Sequence, residues 1–276
     1  MKRVFLVVGI VAIYVYLYLA LVFNLFYSTP AQMRLAWYTH YGKFIAFVAR
    51  KTGLTKKIKI AGETTIEKNK KGVLLLNHSS VVDNLIVALL LNQNEMNWND
   101  MRTISRISRK TVQNKVLRLF DSLLVNKDIY HDMAEFNRVL PKWQAAGPVQ
   151  IILYPEGTIF MPETGIAPAQ TRFLNSIQVK PYTQVLFPNN GIFELLIDRV
   201  KPDYVYDISI MYTLKGLKGL KGQRLCGEKD ILSNLHRDEF NIQVYITKYA
   251  PDAIHPNWLY RLWEKKDARL SKNFLI

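Results

Sequence analysis

From residue 58 onward, short apolar runs of strand length alternate with longer segments in which apolar residues recur every three or four positions. This pattern predicts strands over residues 58–61, 73–76, 101–105, 122–125, 149–154, 184–187, 204–213 and 241–249, with helices between them. The clearest helix spans 129–146, where Ile129, Met133, Phe136, Leu140 and Trp143 fall on one face; the stripe reads as core, and Pro141 is expected to kink it. Near the end of the chain Trp258, Leu262, Trp263, Leu270 and Phe274 alternate with Arg261, Lys265, Lys266, Arg269 and Lys272, an amphipathic helix suited to packing on the sheet or on a bilayer surface. Packing is the preferred reading. Strands alternating with helices are the order of an α/β domain with a mostly parallel central sheet flanked by helices.

The first part of the chain follows a different pattern. Residues 4–27 carry no charge, and at about 1.5 Å per residue such a run crosses a hydrocarbon core of about 30 Å. A signal peptide is the competing reading. Its apolar region is usually about 7–15 residues, and Tyr14, Tyr16, Tyr18 and Tyr27 suit an interfacial anchor, so an anchor is expected. Basic residues flank both sides of the run, Lys2 and Arg3 before it and Arg34, Lys43, Arg50 and Lys51 after it, so its orientation stays open. Residues 36–50 read either as an interfacial helix beneath the domain or as a docked core helix. The expected division is therefore 1–57, membrane anchor and interfacial helix, and 58–276, catalytic domain.

Composition narrows the partners. A formal net charge of +15 suits nucleic acid, anionic lipid or a polyphosphate ligand, and the uncharged N-terminal run selects a membrane over nucleic acid. The single cysteine, Cys226, provides no disulfide framework, and the five scattered histidines show no metal-ligand spacing, so no metal site is expected. These features suit a cytosol-facing domain on an endoplasmic reticulum, other endomembrane or bacterial inner membrane. The basic loop over 214–222, a three-residue repeat of Leu, Lys and Gly, reads as solvated or as facing lipid phosphates.

Two polar turns carry the candidate chemistry. The strand at 73–76 runs into Asn77, His78, Ser79 and Ser80, with Asp83 beginning the next apolar helix. Residues five apart on one helix point roughly 140° from each other. His78 and Asp83 therefore meet only if His78 sits in the strand-to-helix turn and Asp83 in the first helical turn. A carboxylate on one imidazole nitrogen fixes the tautomer and leaves the other nitrogen to take a proton. The same residues also form a capping box, with Ser80 as N-cap and Asp83 reaching back to its amide. Further on, residues 151–153 lead into Tyr154, Pro155, Glu156, Gly157 and Thr158, a second strand ending in a polar turn. Strand ends of a parallel sheet share one edge, where open α/β folds place ligands. Glu156 there either accepts from a substrate hydroxyl or holds the turn, and Gly157 permits close backbone approach. No G-x-S-x-G occurs to supply a lipase nucleophile.

Together, Asn77-His78-x-x-x-x-Asp83 and Pro155-Glu156-Gly157-Thr158 resemble the membrane-bound 1-acylglycerol-3-phosphate O-acyltransferase family of glycerolipid synthesis. Val185-Leu186-Phe187-Pro188 is similar to that family's fourth block and residues 204–212 to the strand after it. The tail over 258–274, with Trp263-Glu264-Lys265-Lys266-Asp267, resembles the branch containing lysocardiolipin and lysophosphatidylinositol acyltransferases. The resemblance implies acyl transfer from acyl-CoA, a co-substrate rather than a bound cofactor, to a lysophospholipid. His78 would be the base and Asp83 its partner, with no covalent acyl-enzyme. Glu156, Gly157, Thr158, Lys127 and Asn77 would place the acceptor.

Departures from the family bear on the acceptor. Ile159 stands where an arginine often follows Glu-Gly-Thr, Lys127 where the second block often ends in arginine, and Asn189 where a basic residue is common. A phosphate monoester dianion favours strong charge pairing, so a phosphodiester lysophospholipid is preferred over lysophosphatidic acid. Lys127, Arg172 or the loop over 215–221 would supply the compensating charge. The alternatives are an enzyme making phosphatidic acid and an inactive membrane-anchored scaffold of the same fold.

Overall fold

The structure is a computed structural model, and it describes residues 42–272 except 45, 52, 97–99, 108–113, 116, 119–120, 127, 163–165 and 216–222. The expected anchor over 4–27, Lys127 and most of the basic loop lie outside the described residues. Among those described, no helix is long and apolar enough to cross a membrane.

Among the described residues eight strands form one sheet: β1 (Ile58–Gly62), β2 (Gly72–Leu76), β3 (Met101–Arg106), β4 (Leu123–Val125), β5 (Gln150–Leu153), β6 (Tyr204–Leu214), β7 (Gln223–Leu225) and β8 (Phe240–Tyr249). Their order is β1-β8-β6-β2-β5-β3-β4, with β7 paired to β6. The run from β6 to β4 is parallel, while β8 is antiparallel to β6 and parallel to β1. The expected mostly parallel α/β sheet is thus present, with an antiparallel flank that the apolar runs do not encode.

β2 shows why the sheet is two-sided. All five of its residues are buried, with Leu74 and Leu76 in the core on one face and Val73 and Leu75 in the core on the other. Successive strand residues point to opposite faces, so a strand covered on both sides reads as a continuous apolar run. On the first face lies helix α1 (Val82–Gln93), which buries Val82, Ile86, Leu90 and Leu91. The second is covered by α2 (Ile129–Ala145), whose Phe136, Val139 and Trp143 enter the core, and which runs unbroken through Pro141. Its N-cap, Asp128, accepts from the amides of Tyr130 and His131, each at 3.0 Å. Further helices follow: α3 (Ile166–Ser176), α4 (Asn190–Leu195), α5 (Glu228–Asn234) and α6 (Trp258–Ser271). α6 packs Leu259, Leu262, Trp263 and Leu270 into the second core, so the packing alternative holds for it. In the helical stretch around 46–51, Val48 and Ala49 are buried while Phe47 is exposed, which docks that segment by one face.

One expected strand does not form. Residues 184–187 are apolar enough, yet their amides find side-chain acceptors instead of a neighbouring strand. Gln184 N–H donates to Asp267 Oδ1 (2.6 Å), Leu186 N–H to Glu156 Oε2 (3.0 Å) and Phe187 N–H to Gln170 Oε1 (2.7 Å). Buried amides need a partner of some kind, and here three remote side chains provide it.

Candidate active site

β2 and β5 are adjacent and parallel, Leu75 facing Leu153, so the two polar turns emerge side by side at one edge of the sheet. The first is shaped by Asn77. Its side-chain amide donates to Ile210 O (2.9 Å) and accepts from Ile210 N–H (2.8 Å), which extends the β2–β6 ladder by one side chain before the backbone turns away. Asn77 is 1% exposed and spends both ends of its amide on β6, so it belongs to the scaffold rather than to the acceptor site expected from sequence.

The next residue, His78, presents its ring to a cleft. His78 Nδ1 lies 3.0 Å from Asp83 Oδ2. The same oxygen accepts from Ser79 N–H (2.7 Å) and Ser80 N–H (2.9 Å), and Oδ1 accepts from the Tyr212 hydroxyl (2.5 Å). The capping-box contact and the histidine contact are therefore made by one carboxylate at once. Ser80 Oγ also accepts from Val82 N–H at 3.2 Å, closing the turn. With donors on both oxygens, Asp83 acts as an acceptor, which favours the tautomer with hydrogen on Nδ1 and leaves Nε2 free. Burial, reinforced by the Asp83 charge, raises the Tyr212 phenol well above its ordinary pKa and keeps it a donor. The imidazole face stacks on Tyr154, with ring centroids 4.3 Å apart, and Tyr154 Oη donates to Asn84 Oδ1 at 2.9 Å.

Glu156 is 5% exposed and bridges three segments. Oε1 accepts from His78 N–H at 3.3 Å, and Oε2 accepts from Leu186 N–H at 3.0 Å. Of the two roles open to it from sequence, the carboxyl fills that of holding the turn. Burial pushes its pKa up to about 8, with the Asp83 charge adding to the rise, while the two amide bonds and the Lys266 charge pull the other way. Gly157 adopts φ +68°, and a Cβ there would meet nothing within 4 Å. The left-handed backbone there suits glycine, and the residue lines the cavity described below; its N–H donates to Tyr154 O at 3.0 Å.

These turns open on a cavity of about 950 Å³. His78, Tyr154, Glu156, Gly157, Thr158 and Ile159 are part of its lining. Apolar Val87, Met101, Ile104 and Val125 line it as well, as do Phe187, Pro188 and Asn189. Arg106, at the end of β3, adds a cation to the lining. The structure thus gathers His78, Asp83, Glu156, Gly157 and Thr158, and sets Asn77 behind them. Tyr212 and Tyr154 escape sequence reasoning; Tyr154 carries the one available signal, a polar aromatic directly before Pro155. Among the described residues no group of three or more His, Cys, Asp or Glu side chains is arranged to hold a metal.

A mostly parallel sheet with two polar turns side by side at one edge, both lining one cavity, is the arrangement of an α/β enzyme. Residues 57–213 match the Acyltransferase family, and the chain belongs to that family. In overall fold it is similar to the crystal structure of the 1-acyl-sn-glycerophosphate (LPA) acyltransferase PlsC from Thermotoga maritima. That likeness covers 100% of both chains with a TM-score of 0.54 and 14% identity. No curated protein matches the chain by sequence.

Proposed function

We propose that this acyltransferase moves a fatty acyl group from acyl-CoA to the free glycerol hydroxyl of a lysophospholipid at a membrane surface. The carrying observation is the 3.0 Å contact between His78 Nδ1 and a fully buried Asp83, with the imidazole opening on the cleft. His78 Nε2 takes the proton of the glycerol hydroxyl as its oxygen attacks the thioester carbonyl, and Asp83 stabilises the imidazolium that forms. Collapse of the tetrahedral intermediate expels the CoA thiolate, which recovers the proton from His78. Gly157 and Thr158, with Lys127, bind the acceptor. Residues 1–57 anchor the catalytic domain, 58–276, to an endoplasmic reticulum, other endomembrane or bacterial inner membrane, with the domain facing the cytosol.

A headgroup-bearing phosphodiester is the favoured acceptor, because Ile159 lines the cavity beside Thr158 and offers no charge. The Arg106 cation in the same lining favours a second reading, lysophosphatidic acid as acceptor. Purified protein is tested with labelled acyl-CoA and a panel of lysophosphatidylinositol, lysophosphatidylglycerol, lysocardiolipin and lysophosphatidic acid. Transfer to one of the first three, abolished by His78→Ala, is expected; exclusive use of lysophosphatidic acid reverses the acceptor assignment. Unchanged transfer by His78→Ala removes His78 as the base, and a wild-type protein inert on every acceptor points to a scaffold.

A further inference from the structure

α3 has two faces. Ala167, Gln170, Thr171 and Leu174 recur at helical spacing and are half-buried or buried, while Arg172 and Phe173 are exposed. Ile177 stands four residues beyond Phe173 and shares its side; its N–H donates to Phe173 O at 3.2 Å. The helix then ends in a turn that displays one more apolar residue. Gln178 takes φ +56°, its N–H donates to Asn175 O at 3.1 Å, and Val179 N–H donates to Leu174 O at 2.9 Å. This pairing satisfies the last carbonyls of the helix and fixes the backbone that carries Val179 and Lys180.

Phe173 is 53% exposed, Ile177 47% and Val179 38%. Among the described residues six large apolar side chains are exposed, and these three fall within seven positions. Single exposed apolar residues are ordinary on a protein surface, whereas a cluster with a polar rim marks a contact. Here the rim is basic. From Ile166 to Phe193 the chain carries Arg172 and Lys180 and no acidic residue. Both cations are exposed, and neither lines the cavity. α6 brings two carboxylates to this stretch: Asp267 accepts from the amides of Thr183 and Gln184 at 2.9 and 2.6 Å, and Glu264, which faces Tyr182, is followed by an exposed Lys265. The cluster is also continuous with the site. Gln170 lines the cavity and accepts from Phe187 N–H. The Phe173 ring meets Phe187 edge-on with centroids 6.5 Å apart, and Phe187 stacks on Tyr260 at 5.1 Å; Phe187 and Tyr260 both line the cavity.

We propose that the end of α3, through Phe173, Ile177 and Val179 with Arg172 and Lys180, is a docking surface for an anionic lipid bilayer, separate from the apolar run over 4–27, and that it sets the aromatic edge of the cavity against the lipid from which the acceptor comes. The apolar side chains enter the boundary between headgroups and acyl chains while the two cations meet lipid phosphates, and the attraction grows with both. The acceptor's part in this rests on the lysophospholipid reading; the docking does not.

The test uses the full chain with Cys226→Ser and Ile177→Cys, labelled at position 177 with a polarity-sensitive fluorophore, and vesicles of phosphatidylcholine with or without phosphatidylglycerol. The probe is expected to brighten and shift to shorter wavelength on vesicles, more so with phosphatidylglycerol, and to lose that excess as salt is raised. The same probe at Lys70→Cys, in the exposed loop before β2 and so at the other end of that strand from the His78 turn, is expected to stay unchanged. In unlabelled protein, Ile177→Ser with Val179→Ser is expected to lower kcat/KM for a vesicle-borne lysophospholipid about tenfold, with the rate on a dispersed short-chain lysophospholipid unchanged. A probe at 177 that ignores vesicles, answers equally with and without phosphatidylglycerol, or behaves like the one at 70 overturns the proposal. So does a shift that needs no lipid and grows with protein concentration, the sign of a second copy on the patch, or a double variant that treats the two acceptors alike. If Cys226→Ser does not fold, the kinetic comparison decides alone. Because the probe reads without turnover, a vesicle-dependent shift in a protein inert on every acceptor sinks the lysophospholipid reading and leaves the docking surface, whereas active transfer with a silent probe sinks the docking surface only.

Discussion

Tyr212 on β6 donates its hydroxyl hydrogen to Asp83 Oδ1 at 2.5 Å, while the other oxygen of the same carboxylate serves His78. The aspartate is thereby held from two sides, by the sheet and by the turn, and its orientation toward the imidazole is fixed before any substrate arrives.

Removing the hydroxyl tests that arrangement. Tyr212→Phe leaves a buried carboxylate oxygen short of a donor, a loss of about 1–3 kcal/mol, and is expected to lower kcat about tenfold with KM little changed. Asp83→Asn does more, because an amide nitrogen facing Nδ1 favours the wrong tautomer; a loss on the order of 10³ to 10⁴ is expected. Steady-state kinetics with labelled acyl-CoA measure both. A Tyr212→Phe variant with wild-type kcat shows that Asp83 is held well enough without β6.

Glu156 makes stability depend on pH. Its folded pKa of about 8 lies above the ordinary value of 4.5, so between these the native state holds a proton that the unfolded chain has released. This contribution is fully present below the unfolded value and is lost as pH rises through about 8. The steepest slope is about 1.4 kcal/mol per pH unit. Urea midpoints measured from pH 4 to 9 are expected to fall with pH, and Glu156→Gln is expected to flatten that fall. Equal slopes in the two proteins contradict a raised Glu156.

Asn77 and Gly157 separate scaffold from conformation. Asn77→Ala strips Ile210 of both its side-chain partners and is expected to cost about 2 kcal/mol or more, without a specific rise in acceptor KM. Gly157→Ala meets open space, so only the left-handed backbone is penalised, about 1 kcal/mol. Thermal melting ranks the two. An Asn77→Ala protein of wild-type stability but raised acceptor KM would return Asn77 to the substrate.

What the sequence made legible follows from how far each signal reaches. β2 and β5 are uninterrupted apolar runs ending in polar residues, and their turns carry His78, Asp83 and Glu156 within a few positions of the strands, so local pattern was enough. The segment 184–187 misled because apolarity marks burial but says nothing about which acceptors its amides will meet; those came from Glu156, Gln170 and Asp267. The dual use of Asp83, as cap and as histidine partner, was open as two readings because both need the same residue at the same spacing. Tyr212 had no local signal at all, since it lies in a buried strand.

The strand order also has a kinetic side. β1, at one edge of the sheet, pairs with β8, and β8 is the strand that separates β1 from β6. Two segments from opposite ends of the domain must meet before that flank exists. Loop-closure entropy grows only logarithmically with length, so the equilibrium cost is modest, but pairing of such range slows folding. Until β8 docks, the long apolar β6 is an unpaired edge, open to the wrong neighbour. In a chain emerging from its N-terminus, β6 therefore has no native partner on that side until β8, the last strand, has been made.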